Sequence, residues 1–99
     1  MATMRIDLRG GFDRDAAEIW IDGDLRWREE AVTTKFTRDL AASIPFEVPD
    51  GLLDVRLVLP RPGIEQSLVA RVAGETCVVA RLENGRLVLE QLAEEPFPV

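Results

Sequence analysis

Cys77, Ser43, Ser67 and Lys35 are the side chains of this sequence with the clearest nucleophilic character. Each needs a base beside it to act, and the 99 residues include neither histidine nor tyrosine. Histidine-dependent triads and Cys/His zinc sites are therefore excluded. Cys77 stands among Thr76, Val78 and Val79, residues that favour strands, and reads as a structural thiol, a small buried hydrophobe. Paired carboxylates of the glycosidase kind would need a cleft that a chain this short seldom builds. The expectation is a protein that is not an enzyme and uses no cofactor.

Carboxylates offer a second chemistry, the binding of a divalent cation. Asp13-Arg14-Asp15 with Glu18, Asp22-Gly23-Asp24, and Pro49-Asp50-Gly51 with Asp54 lie at or beside turns. A β-sandwich can gather such groups at one end, where calcium takes about six to eight oxygens. None of the three matches an EF-hand loop, and Asp-Gly is also what a plain hairpin turn requires. Calcium or small-ligand binding is thus the alternative function. Gly10-Gly11 and Gly23 open no helix, so no dinucleotide or phosphate loop is present.

Trp20 and Trp27 carry the largest aromatic surfaces. Trp27 reads as core, whereas Trp20 beside Arg26 has the composition of a binding hot spot. The formal charge is −6 and the pI about 4.6, which argues against nucleic acid, since phosphate binding needs a basic surface. No apolar run is long enough to span a membrane or to form a signal-peptide core. The unpaired Cys77 suits a reducing cytosol, and arginine far outnumbers the single lysine, a bias associated with GC-rich bacterial genomes. A bacterial, cytoplasmic setting is expected.

The elements that must position these residues are short alternating runs, interrupted every eight to twelve residues by turn formers, the pattern of sandwiches and barrels. Strands are predicted at Met4–Arg9, Glu18–Ile21, Leu25–Glu30, Val32–Thr37, Ser43–Val48, Leu53–Leu59, Leu68–Val72, Thr76–Glu83 and Arg86–Leu92. Thr37–Ser43 could form at most one helical turn. The fold class is all-β: a single-domain antiparallel β-sandwich, immunoglobulin-like or prealbumin-like, of seven to nine short strands. It should occupy residues 1–93, with 94–99 a frayed tail whose Phe97 and Val99 could anchor on a partner.

Two hairpins can be read in register. Asn84-Gly85 is the preferred pair of a two-residue type I′ turn, which sets Glu83 opposite Arg86, Leu82 opposite Leu87, Arg81 opposite Val88 and Val79 opposite Glu90. Cys77, Val79, Val88 and Leu92 then share a face opposite the core face, forming an apolar patch that something must cover. At Asp22-Gly23 a three-residue loop, Asp22-Gly23-Asp24, would put Ile19, Ile21, Leu25 and Trp27 inward. It would also set Trp20 opposite Arg26 and Glu18 opposite Arg28.

Ile19-Trp20-Ile21-Asp22-Gly23, followed by Val48-Pro49-Asp50-Gly51-Leu52-Leu53-Asp54-Val55-Arg56-Leu57-Val58-Leu59-Pro60, resembles the Asp-Gly and Pro-x-Gly arrangement of PEGA-like and carboxypeptidase-regulatory-like domains. That resemblance implies a small prealbumin-like or immunoglobulin-like sandwich serving as a non-catalytic accessory module. The functional expectation is accordingly a module for protein–protein interaction or assembly, with a homodimer possible. Its candidate interface residues are Trp20, Arg26, Cys77, Val79, Val88, Leu92 and Phe97.

Overall fold

Turn chemistry divides the described residues into eight strands, and the hydrophobic alternation within them decides which face each buries. The computed structural model describes residues 2–33, 40–61 and 63–92. The strands are β1 (Ala2–Leu8), β2 (Asp15–Ile21), β3 (Asp24–Val32), β4 (Ala42–Val48), β5 (Gly51–Leu59), β6 (Ile64–Val72), β7 (Glu75–Glu83) and β8 (Arg86–Gln91). They form two four-stranded sheets, ordered β4-β1-β7-β8 and β3-β2-β5-β6. One pair, β1 with β7, is parallel, and this corrects a purely antiparallel expectation. A parallel pair needs a long connection, and here five strands separate the two in the chain. No helix among the described residues is long and apolar enough to cross a membrane.

The core lies between the sheets. Met4, Ile6 and Leu8 of β1 and Val78 and Ala80 of β7 meet Ile19 and Ile21 of β2 and Leu53, Val55, Leu57 and Leu59 of β5, all buried. Each set repeats every second residue, as a strand with one face on a core requires. Pro45 sits on the edge strand β4, where a missing donor costs no ladder bond. The β6 and β8 edges meet through Gln91, whose Nε2 donates to the Arg71 carbonyl (2.8 Å) and whose Oε1 accepts from the Arg71 amide (3.0 Å).

The C-terminal hairpin has the predicted register throughout, from Glu83 opposite Arg86 to Val79 opposite Glu90. Its turn residues Asn84 and Gly85 have φ of 52° and 76°, as a type I′ turn demands. The first hairpin differs. Its loop has two residues, Asp22 and Gly23, so Ile21 pairs with Asp24 and Trp20 with Leu25. A bulge at Arg26 then restores the predicted pairs Ile19 with Trp27 and Glu18 with Arg28. The bulge lets the tight turn form while Ile19, Ile21 and Trp27 still face the core. Leu25 is left outward and 45% exposed. β3 is one strand to Val32, so the predicted break before a separate Val32–Thr37 strand is absent. Readings that fall on residues 34–39 and 93–99, Phe97 and Val99 among them, lie outside the described residues.

Trp27 packs against the core while remaining half-buried. Trp27→Ala is expected to cost about 2–3 kcal/mol in urea denaturation, less than a fully buried aromatic. Trp20→Ala, on the outer face, should cost under about 1 kcal/mol. Equal losses would place Trp20 in the core and refute this register.

Candidate functional site

The outer face of the first sheet holds a buried polar cluster. Because Met4, Ile6 and Leu8 point inward, the alternation of β1 sends Arg5 and Asp7 to the other side. Asp7 lies between Ser43 of β4 and Val79 of β7, and Arg5 lies beside Cys77. The Asp7 carboxylate accepts from the Ser43 hydroxyl (2.6 Å), Arg5 Nε (3.1 Å) and an Arg9 guanidinium nitrogen (3.3 Å), with the Cys77 thiol at 3.8 Å. Arg5 also donates to Cys77 Sγ at 3.4 Å. Asp7 is only 3% exposed, as is Cys77. A buried carboxylate of this kind survives because its charge is balanced and its lone pairs are used.

The hydrogen bond to Cys77, with the negative charge of Asp7 adding to it, raises the Arg5 pKa against the opposing effect of burial. Two of the nucleophile candidates, Ser43 and Cys77, thus share one carboxylate with two guanidinium groups. Among the described residues no buried side-chain nitrogen or oxygen lacks a partner. The cluster is a satisfied network that ties β4, β1 and β7 together across the face.

Two of the carboxylates considered for a cation, Asp15 and Asp22, accept from backbone amides at turns. The Asp13 amide donates to Asp15 Oδ2 (2.9 Å). Asp22 Oδ1 accepts from the Asp54 amide (2.9 Å), and the Asp22 amide donates to the Asp54 carbonyl (2.8 Å). These two bonds fasten the β2–β3 turn to the start of β5. Among the described residues no group of three or more acidic or cysteine side chains is arranged to hold a metal ion.

The predicted interface residues do not form one surface. Cys77 and Val79 lie on the outer face of the first sheet but are buried within the chain, at 3% and 4% exposure. Val88 and Leu92 beside them are half-buried. Trp20 lies on the outer face of the second sheet, where its indole nitrogen donates to Glu18 Oε1 (3.1 Å). Arg26 stands over the Phe46 ring, 5.6 Å from its centroid, so the predicted cation–π contact exists with a different aromatic partner.

Comparison with protein-family models, with curated proteins and with solved structures finds no match to this chain. The site must therefore be weighed on its own geometry. The feature that sequence reasoning missed is the outer face of the second sheet. Leu52 (65% exposed), Val69 (61%) and Leu25 (45%) all project there, Leu52 and Val69 as diagonal neighbours on β5 and β6 and Leu25 opposite half-buried Trp20. The alternation of Leu53–Leu59 already put Leu52 on the outer side, but Val69 was placed only once β6 had a register.

Proposed function

We propose that this domain is a non-catalytic module for protein–protein interaction or assembly, binding through the outer face of the second sheet. The observation that carries this reading is that the three exposed large hydrophobics among the described residues, Leu25, Leu52 and Val69, all lie on that one face. Exposed apolar groups on one face mark contact surfaces, and Arg56 in the middle of the face, between Trp20 and Ser67, with Arg71 and Glu65 toward its ends supplies charge among them. The opposite face has less to offer, because Cys77 and Val79 are already enclosed. The non-catalytic reading is supported by Ser43 and Cys77 both being turned onto the charge-balanced Asp7. A cytoplasmic setting is supported by the single cysteine of the sequence, Cys77, being buried and outside any disulfide.

Of the two sandwich types, the prealbumin-like one fits better. An immunoglobulin sandwich pairs its first strand with its second in one sheet, whereas here β1 lies between β4 and β7. The proposed likeness to PEGA-like and carboxypeptidase-regulatory-like domains rests on β2 and β5. They carry the two motif pieces and are adjacent antiparallel strands.

The test compares wild type with Leu52→Glu/Val69→Glu, both immobilised and exposed to extract of the source organism. Both positions are exposed, so the variant should fold normally. A protein retained by wild type and lost with the variant is expected, and it should bind again when purified. Identical retention by both would overturn the reading. A rise in melting temperature with millimolar calcium would instead favour the cation-binding alternative.

A further inference from the structure

We infer that the outer face of the second sheet is the contact between two copies of this chain, a conclusion that rests on reading that face as an interaction surface. The outward residues of β5 are Leu52, Asp54, Arg56 and Val58. Their neighbours on β6 are Arg71, Val69, Ser67 and Glu65 respectively. Consider a two-fold axis in the plane between two stacked copies, perpendicular to the strands, crossing between the Asp54–Val69 and Arg56–Ser67 rows. It lays β5 and β6 each over its own copy in reverse, while β2, which pairs only with Val55–Val58 of β5, stays to one side of the axis. Asp54 then meets Arg56 of the partner subunit, Leu52 meets the partner's Val58, Arg71 meets the partner's Glu65, and Val69 meets the partner's Ser67. Symmetry repeats each contact, so all eight positions acquire a compatible neighbour.

Other registers do not achieve this. Moving the axis onto the Arg56 row sets that arginine against its own copy, and moving it onto the Asp54 row does the same for the aspartate. Like charges directly opposed are unfavourable. Stacked sheets lie about 10 Å apart, within reach of an arginine and an aspartate together. Aligned sheets cross at about 30° because each is twisted, so the rows nearest the axis stay best in register. Those rows carry Asp54, Arg56, Ser67 and Val69. The strands that overlap, β5 and β6 with nine residues each, give a contact roughly 10 by 30 Å, a small interface of the kind formed by weak, concentration-dependent pairs. The two most exposed large hydrophobics among the described residues, Leu52 and Val69, are covered. The complementarity is that of the face with itself, and so the occupant is a second copy.

Sedimentation velocity of the full chain, from low to high micromolar concentration, tests this. Wild type is expected to dimerise. Glu65→Arg and Arg71→Glu should each raise the dissociation constant about tenfold or more, because each opposes like charges across the axis. The double exchange, Glu65→Arg with Arg71→Glu, should restore it to within a few-fold of wild type. Within one copy the two positions are about 20 Å apart along β6, beyond effective range in salt, so recovery must pass through the partner. A monomeric wild type, a dimer indifferent to both single changes, or single defects without recovery would each overturn the inference. A monomer that still captures another protein through Leu52 and Val69 would overturn the dimer and leave the proposed function standing.

Discussion

Gly11→Ala is expected to cost about 3 kcal/mol or more, a large fraction of the stability of a domain this size. Gly11 has φ of +95°, a region that L side chains rarely adopt. A Cβ there would fall 1.8 Å from the Leu82 carbonyl oxygen and 2.8 Å from its carbon. The obstacle is backbone, and the backbone is held. The Leu82 amide donates to the Gly10 carbonyl at 2.9 Å, and the Arg9 amide donates to the Ala80 carbonyl at 2.8 Å. Relief therefore means breaking the attachment of residues 9–11 to β7. The buried Phe12 follows directly, so a displaced turn would also pull an aromatic ring from the core. Gly85→Ala is the control: it too has positive φ, at 76°, but nothing lies within 4 Å of the added carbon. Its cost should be nearer 1 kcal/mol. Urea denaturation followed by tryptophan fluorescence measures both. Equal losses would mean that the Gly10-Gly11 turn can swing clear of β7.

The contrast between those glycines shows what a sequence discloses. Asn84-Gly85 states its turn type locally, and a two-residue type I′ loop leaves one register, so every pair of the β7–β8 hairpin was legible. Asp22-Gly23 states the same turn, yet by alternation alone a two-residue loop would leave Ile19 and Ile21 outside, whereas the three-residue loop buries Ile19, Ile21, Leu25 and Trp27 without burying a charge. The chain reconciles both demands with a bulge at Arg26, keeping the tight turn and the inward Trp27 while leaving Leu25 exposed. A bulge has no residue signature here, so the alternation alone could not reveal it. Gly10-Gly11 was legible as a turn. Its contact with Leu82 depends on the parallel β1–β7 pairing, which lies far outside any local window.

The two outer faces were legible to different degrees, for the same reason. Strand alternation says which side a residue takes, and it placed Cys77, Val79, Val88 and Leu92 together correctly. It does not say what covers that side, and the patch that something had to cover has its centre buried within the chain. Leu52, Val69 and Trp20 become one surface only when β2, β5 and β6 are neighbours. Asp7 was silent in the sequence. A polar residue alternating with Ile6 and Leu8 reads as solvated, and nothing local distinguishes it from a carboxylate gripped by two arginines and a serine.

That grip gives the second large effect. Asp7→Ala is expected to destabilise the domain by about 3 kcal/mol, because removing one member of a buried ionic network strands the others. The figure is set at the lower end of the range for buried pairs. The Arg5 and Arg9 side chains are 40% and 34% exposed, so their heads can turn to water once the carboxylate is gone. Asp7→Asn keeps an acceptor for Ser43 while losing the charge, and should cost about 1–2 kcal/mol. Arg5→Ala alone should cost less than Asp7→Ala, since Asp7 would keep Arg9 and Ser43. The order Asp7→Ala, then Asp7→Asn, then Arg5→Ala in urea denaturation is the expected result. A second measurement separates a network from a mere charge. Cys77 is buried beside Asp7, so its reaction with a bulky aromatic disulfide should be slow in wild type and markedly faster in Asp7→Ala, where the face loosens. If Asp7→Ala falls within about 0.5 kcal/mol of wild type, as an ordinary surface change would, and leaves the thiol protected, then packing around Cys77 and Val79 holds that face together without the carboxylate.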